Sequence, residues 1–176
     1  MPTCSDRGVV NGSAEHDEVD AVVEAWRRER PDLDVTPMEV LSRITRLAHQ
    51  LDRRRSAAFT AHGLESWEFD VLAALRRAGA PYQLSPGQLL QETLVTSGTM
   101  TNRVDRLTGR GWVTREEQPG DRRGVLVRLT SEGRTAVDSA LTDLLQAERT
   151  MLDGLDPAEQ VQLIAGLRVL LAARRT

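Results

Sequence analysis

Thr96-Ser97-Gly98-Thr99-Met100-Thr101-Asn102-Arg103-Val104-Asp105-Arg106-Leu107 runs through Arg110-Gly111 into Trp112-Val113-Thr114-Arg115. The first run predicts a helix from Ser97 to about Arg110, with Met100, Arg103, Val104 and Leu107 on its inner stripe. At Trp112 the period changes to two, which predicts a strand. Gln118-Pro119-Gly120-Asp121-Arg122-Arg123-Gly124 is a charged, turn-rich tip, and Val125 to Leu129 reads as a second strand. Together they predict a β-hairpin with a long loop.

Just upstream, Ser85-Pro86-Gly87-Gln88 opens a short helix to about Glu92, and Leu94-Val95-Thr96 is a tight turn. Before that, Ser66 is read as the cap of a helix carrying Trp67, Phe69, Val71, Leu72 and Leu75, closed by Gly79-Ala80-Pro81. Short helix, turn, second helix and basic hairpin make a winged helix-turn-helix. Such a unit reads double-stranded DNA because its second helix fits the major groove while the hairpin reaches an adjacent minor groove.

Long helices flank this unit. Glu15 to Arg30 has Val19, Val22, Val23 and Trp26 at helical spacing, and Pro31 interrupts it. Thr36-Pro37-Met38-Glu39 is read as N-cap, first-position Pro and capping-box Glu of a helix ending near Gly63. Thr130-Ser131-Glu132 caps a helix to about Leu152, and Asp156-Pro157 opens the last one, with Val161, Ile164, Leu167, Leu170 and Leu171. The fold class is therefore mainly α with a small β-hairpin wing. The expected organisation is a disordered tail over 1–14, N-terminal helices over 15–63, a DNA-binding domain over 64–130 and C-terminal dimerisation helices over 131–173. The terminal stripes either complete the monomer core or form an interface. A two-fold homodimer is the favoured reading, which predicts a pseudo-palindromic operator with half-sites about one helical turn apart.

Composition narrows the function classes. The chain has 176 residues, 40% hydrophobic and 28% charged, the balance of a soluble globular protein. All 23 basic residues are Arg, which removes P-loop, Schiff-base and kinase chemistry, each of which needs a lysine. Net charge is −3, but residues 76–134 hold ten Arg against six acids, whereas residues 1–75 hold nine against fourteen. A basic centre between acidic ends fits a polyanion-binding segment. Cys4 stands alone, and His16, His49 and His62 lack metal-ligand spacing, so neither a disulfide nor a metal is expected. No catalytic constellation, cofactor motif, signal peptide or membrane span is read. The expectation is a cytoplasmic protein that is not an enzyme.

With Met100, Val104 and Leu107 inward, Ser97, Thr99, Thr101 and Asn102 face outward near a helix start, where hydroxyls and an amide suit phosphates and base edges. Arg106 on the same helix joins them as a DNA-binding candidate. At the hairpin tip, Arg122 and Arg123 suit a narrow A·T-rich minor groove. Arg103 stands where an aliphatic residue is expected, and Asp70 is its natural partner. A buried charge is costly unless paired, so the two read either as a structural ion pair or as a ligand site in which Arg103 holds an anion.

Phe69-Asp70-Val71-Leu72-Ala73-Ala74-Leu75, the run Thr96 to Leu107, and Gly120-Asp121-Arg122-Arg123-Gly124-Val125-Leu126-Val127-Arg128-Leu129-Thr130 resemble the MarR family of bacterial transcription regulators over about residues 36–173. The resemblance implies a homodimer, a palindromic operator and repression relieved by small, often anionic ligands. Ala25-Trp26-Arg27-Arg28-Glu29-Arg30-Pro31-Asp32-Leu33-Asp34, then Pro37-Met38-Glu39, is similar to the PecS, TamR and HucR branch, which carries an extra N-terminal helix. That likeness implies a pocket for urate or a related organic acid formed by Trp26, Asp70, Arg103 and Arg115. A winged-helix regulator without a ligand, with Asp70–Arg103 purely structural, is the alternative.

Overall fold

The computed structural model describes residues 16–93, 96–118 and 121–172. In order they form α1 (Glu18–Glu29), α2 (Thr36–Thr60), α3 (Ser66–Arg77), β1 (Gln83–Leu84), α4 (Pro86–Thr93), α5 (Ser97–Gly109), β2 (Val113–Gln118), β3 (Asp121–Leu129), α6 (Ser131–Leu152) and α7 (Pro157–Ala172). The expectations for the 1–14 tail, Cys4, Leu94-Val95 and Pro119-Gly120 lie outside the described residues. The chain divides into two compact units, the break falling between Gln50 and Leu51 inside α2.

In the first unit α1 packs on the α2 of its own chain. Asp17 caps α1 by accepting from the Val19 and Asp20 backbone N–H groups, and the Asp20 carboxylate accepts from Asp17 in return. Val19, Val23 and Val35 are buried, with Met38 against them. Charged pairs border this small apolar seam. Arg43 reaches Asp17 at 2.8 Å and Asp20 at 2.7 Å, Arg46 meets Glu18, and Arg27 meets Glu39. The Arg43 guanidinium, as hydrogen-bond donor, holds both Asp17 and Asp20 below the usual carboxylate range.

In the second unit α3 is the central helix. Phe69, Val71, Leu72, Ala74 and Leu75 are buried, and the Phe69 ring stacks on Phe59 with centroids 4.1 Å apart. Leu89 comes from α4, Met100, Val104 and Leu107 from α5, Val113, Val127 and Leu129 from the sheet, and Val137, Ala140 and Leu144 from α6. Each large side chain buried this fully contributes about 1.5–3 kcal/mol. The sheet is antiparallel in the order β1-β3-β2. Thr130 caps α6 through a hydrogen bond from Gly133 N–H, as the sequence predicts.

Three details differ from the sequence reading. The residue preceding α3 is Glu65, not Ser66, and the Glu68 carboxylate accepts the Glu65 N–H at 2.8 Å. β1 was not anticipated. Two residues carry no readable period, and the strand exists because Gln83 and Leu84 pair with Arg128 and Val127. The hairpin is also tighter than expected, with β3 beginning at Asp121, which pairs with Gln118. Glu117 pairs with Val125, so Arg122, Arg123 and Gly124 form an extra run in β3 opposite that step.

α7 differs from every other helix in burying none of its residues. Val161, Val169 and Leu171 are each at least two-thirds exposed, and Leu163, Ile164, Leu167 and Leu170 are exposed as well. No helix among the described residues is long and apolar enough to cross a membrane.

Candidate nucleic-acid interface

The inner face of α5 is locked by Met100, Val104 and Leu107, all buried. This fixes the opposite face, and Ser97, Thr99, Thr101, Asn102 and Arg106 are all exposed. The Thr99 hydroxyl lies 2.9 Å from that of Thr96, and the Thr101 hydroxyl donates back to the Ser97 carbonyl. Among the described residues the Asn102 amide has no intramolecular hydrogen bond, so its donor and acceptor are both free. All five helix residues predicted to contact DNA are exposed to solvent, Thr99, Asn102 and Arg106 on one flank and Ser97 and Thr101 on the other.

Arg106 is held in place. Its guanidinium donates to Glu65 Oε1 at 2.6 Å and lies over the Trp67 ring, 4.7 Å from the centroid. Trp67 Nε1 donates to the other Glu65 oxygen at 2.8 Å. These two donors, Trp67 first and Arg106 second, hold the Glu65 carboxyl below its usual range. Arg103 lies over the same ring at 5.4 Å. Trp67, Thr99, Asn102, Arg103 and Arg106 line a cleft of about 300 Å³.

The expected Asp70–Arg103 ion pair is absent among the described residues. Asp70 is the solvent-facing position between the buried Phe69 and Val71. Arg103 sits at the edge of the apolar stripe, partly buried, its cation on the Trp67 ring. Arg115 instead pairs with Asp105 on α5 at 2.6 Å, and both are exposed. Trp26 is half exposed on α1, within the first compact unit. Arg122 and Arg123 lie in β3, but their side chains are outside the described residues.

The buried charge that the sequence called for exists at other residues. Glu68 is 1% exposed and is the only buried charged residue among those described. Arg110 Nη1 donates to both of its oxygens, at 2.9 and 2.8 Å, while Arg110 Nη2 donates to the Gly63 carbonyl at 3.0 Å. Arg110 also covers the Trp112 ring at 3.6 Å. The sequence offered one signal for Glu68, its place three residues after Glu65 at a helix start. Nothing in it marked Arg110, which closes the C-terminal end of α5. Among the described residues no group of three His, Cys, Asp or Glu side chains is placed to hold a metal ion.

Residues 62–124 match the model of the MarR family. The HTH-type transcriptional regulator PecS of Dickeya dadantii is 40% identical, over 84% of this chain and 89% of that protein. BpsR of Bordetella bronchiseptica, whose DNA binding is regulated by 6-hydroxynicotinic acid, is 30% identical in sequence and superposes with a TM-score of 0.56, covering 73% of this chain and 98% of its own. A mutant MarR of E. coli complexed with operator DNA is 25% identical with a TM-score of 0.61, covering 79% of this chain and 99% of its own.

Proposed function

The chain belongs to the MarR family of transcriptional regulators, and from that premise we propose that it is a homodimeric, sequence-specific DNA-binding repressor released by a small anionic ligand. The observation that carries the reading is that Ser97, Thr99, Thr101, Asn102 and Arg106 are all exposed on a helix whose inner face is fixed in the core, with Thr99, Asn102 and Arg106 together beside the Trp67 cleft. Side chains held this way present donors and acceptors to base edges in a defined register, and a helix N-terminus favours phosphate. The paired strands after α5 supply the wing, and Arg122 and Arg123 are its proposed minor-groove contacts.

The homodimer reading rests on α7. A helix carrying this many aliphatic side chains on several faces is at home only when most of them are buried, and in the single chain none is. A second copy that covers α7 doubles the recognition helices and requires a pseudo-palindromic operator. Such a protein works in the cytoplasm, where bacterial operators are.

Ligand response is assigned to an organic anion of the urate or aromatic-acid class. Arg103 is its proposed anchor, being partly buried, without a carboxylate partner among the described residues and lining the cleft beside Thr99, Asn102 and Arg106. By resemblance Asp70 and Arg115 complete the set. Release requires that the anion bind the DNA-incompetent arrangement more tightly than the competent one.

The test is a mobility shift on the DNA upstream of the coding sequence, with urate, 6-hydroxynicotinate and di- and tricarboxylates added singly. A specific shift released by one anion, and not released in Arg103→Ala, supports both parts of the reading. A specific shift that no anion releases retires the ligand. Absence of any sequence-specific shift retires the regulator.

A further inference from the structure

Glu68 and Arg110 join four elements at one point. Glu68 belongs to the N-terminal turn of α3, Arg110 closes α5, Gly63 lies in the turn between α2 and α3, and Trp112 directly precedes β2. Both oxygens of the buried carboxylate are used at this point. The carboxylate takes Arg110 Nη1 on both oxygens and the Glu65 N–H on one, and Arg110 Nη2 takes the Gly63 carbonyl. The guanidinium plane then lies on the Trp112 ring at 3.6 Å. A planar fork that donates to a carboxylate and a carbonyl while stacking on an indole fixes direction as well as distance.

Burying the Glu68 carboxylate is costly, while the Arg110 side chain, 39% exposed, keeps part of its contact with water. An apolar residue in place of Glu68 would fill the core equally well, and an ion pair with one buried member is understood here as selecting one arrangement among several. The arrangement selected here is that of the recognition helix and the wing. Arg110 terminates the first and, through Trp112, sits at the root of the second.

We propose that Glu68 and Arg110 are positioning residues for DNA recognition, setting the angle of α5 and of the β2–β3 wing on α3 so that both engage one half-site together. This rests on the DNA-binding reading above. Neither residue is assigned a contact with DNA. Their loss therefore costs discrimination between operator and random sequence and leaves the number of phosphates neutralised unchanged.

The variant that separates positioning from stability is Glu68→Gln combined with Arg110→Met, which removes both charges, retains the acceptor for Glu65 N–H and keeps an apolar stem on Trp112. Fluorescence anisotropy would measure binding to operator and scrambled duplexes across a salt series, beside thermal unfolding of wild type, the double variant and Arg110→Ala. The expected result is a double variant that melts close to wild type, with operator preference over scrambled DNA reduced at least tenfold and an unchanged salt slope. Arg110→Ala, which leaves the buried carboxylate alone, melts lower than either. A double variant with wild-type preference overturns the proposal and makes the pair structural. A slope shallower by about one unit also overturns it, because Arg110 is then a phosphate contact. If wild type itself shows no preference, the DNA-binding reading fails and the proposal falls with it.

Discussion

Gly133 occupies the third position of α6, facing the carbonyl of Trp112. A Cβ built there lies 2.2 Å from that oxygen and 3.0 Å from Leu129 Cδ1, whereas ordinary contact starts at 3.4 Å. Gly133→Ala must therefore push the two backbones apart by 1.2 Å, the difference between those separations. The Trp112 carbonyl accepts from both the N–H and the hydroxyl of Thr130, each at 3.1 Å, and both bonds break at that displacement. The Thr130 hydroxyl also caps α6. Overpacking costs about 1–3 kcal/mol, and a disturbed cap about 1 kcal/mol. Against these stands the helix preference for Ala over Gly, up to about 1 kcal/mol. The net is a destabilisation of roughly 1–4 kcal/mol, which at about 2–4 °C per kcal/mol lowers Tm by roughly 2–16 °C. Helix propensity alone predicts the opposite sign, a small rise. Thermal unfolding followed by circular dichroism decides between them, with Gly98→Ala as the control because nothing lies within 4 Å of its Cβ position. A Gly133→Ala protein that melts at or above wild type refutes the close-approach argument. Because Trp112 leads into β2, operator affinity is expected to fall in the same variant.

Glu65→Gln removes the carboxylate that holds Arg106 and is expected to raise DNA affinity several-fold, with a salt slope steeper by about one unit. Unchanged binding would mean that Arg106 stays on Glu65 in the complex. Arg123→Ala is expected to make the slope shallower by about one unit, and an unaltered slope removes it from the wing contacts. The docking of α1 on α2 has a defined pH response. The Arg43 hydrogen bonds hold the Asp17 and Asp20 carboxyls below the ordinary carboxylate range, so the contribution of these pairs is complete above that range and is lost as pH falls through the lowered values. Circular dichroism is thus expected to show a loss of helix below about pH 4 that Arg43→Ala shifts to higher pH. A transition unmoved by that variant rules out the Arg43 pairs as its cause.

What the sequence determined by itself was whatever local physics writes into short runs of residues. The apolar spacing of Met100, Val104 and Leu107 placed the recognition helix, and therefore its exposed residues, because helical period couples the two faces rigidly. The Thr130 cap and the Asp156-Pro157 start were legible because caps act over three or four residues. The change to period two at Trp112 announced the wing. The tertiary structure alone decided everything that depends on which distant groups meet. β1 exists only by pairing with β3, and the hairpin is short because Asp121 pairs with Gln118. The clearest case is the buried charge. Arg103 breaks the apolar stripe and so drew attention, but its stem leaves along the Trp67 ring, and the cost of burial falls on Glu68 instead. A carboxylate becomes a core residue only when a guanidinium 42 residues away is delivered to it at hydrogen-bonding distance, and no local pattern encodes that meeting.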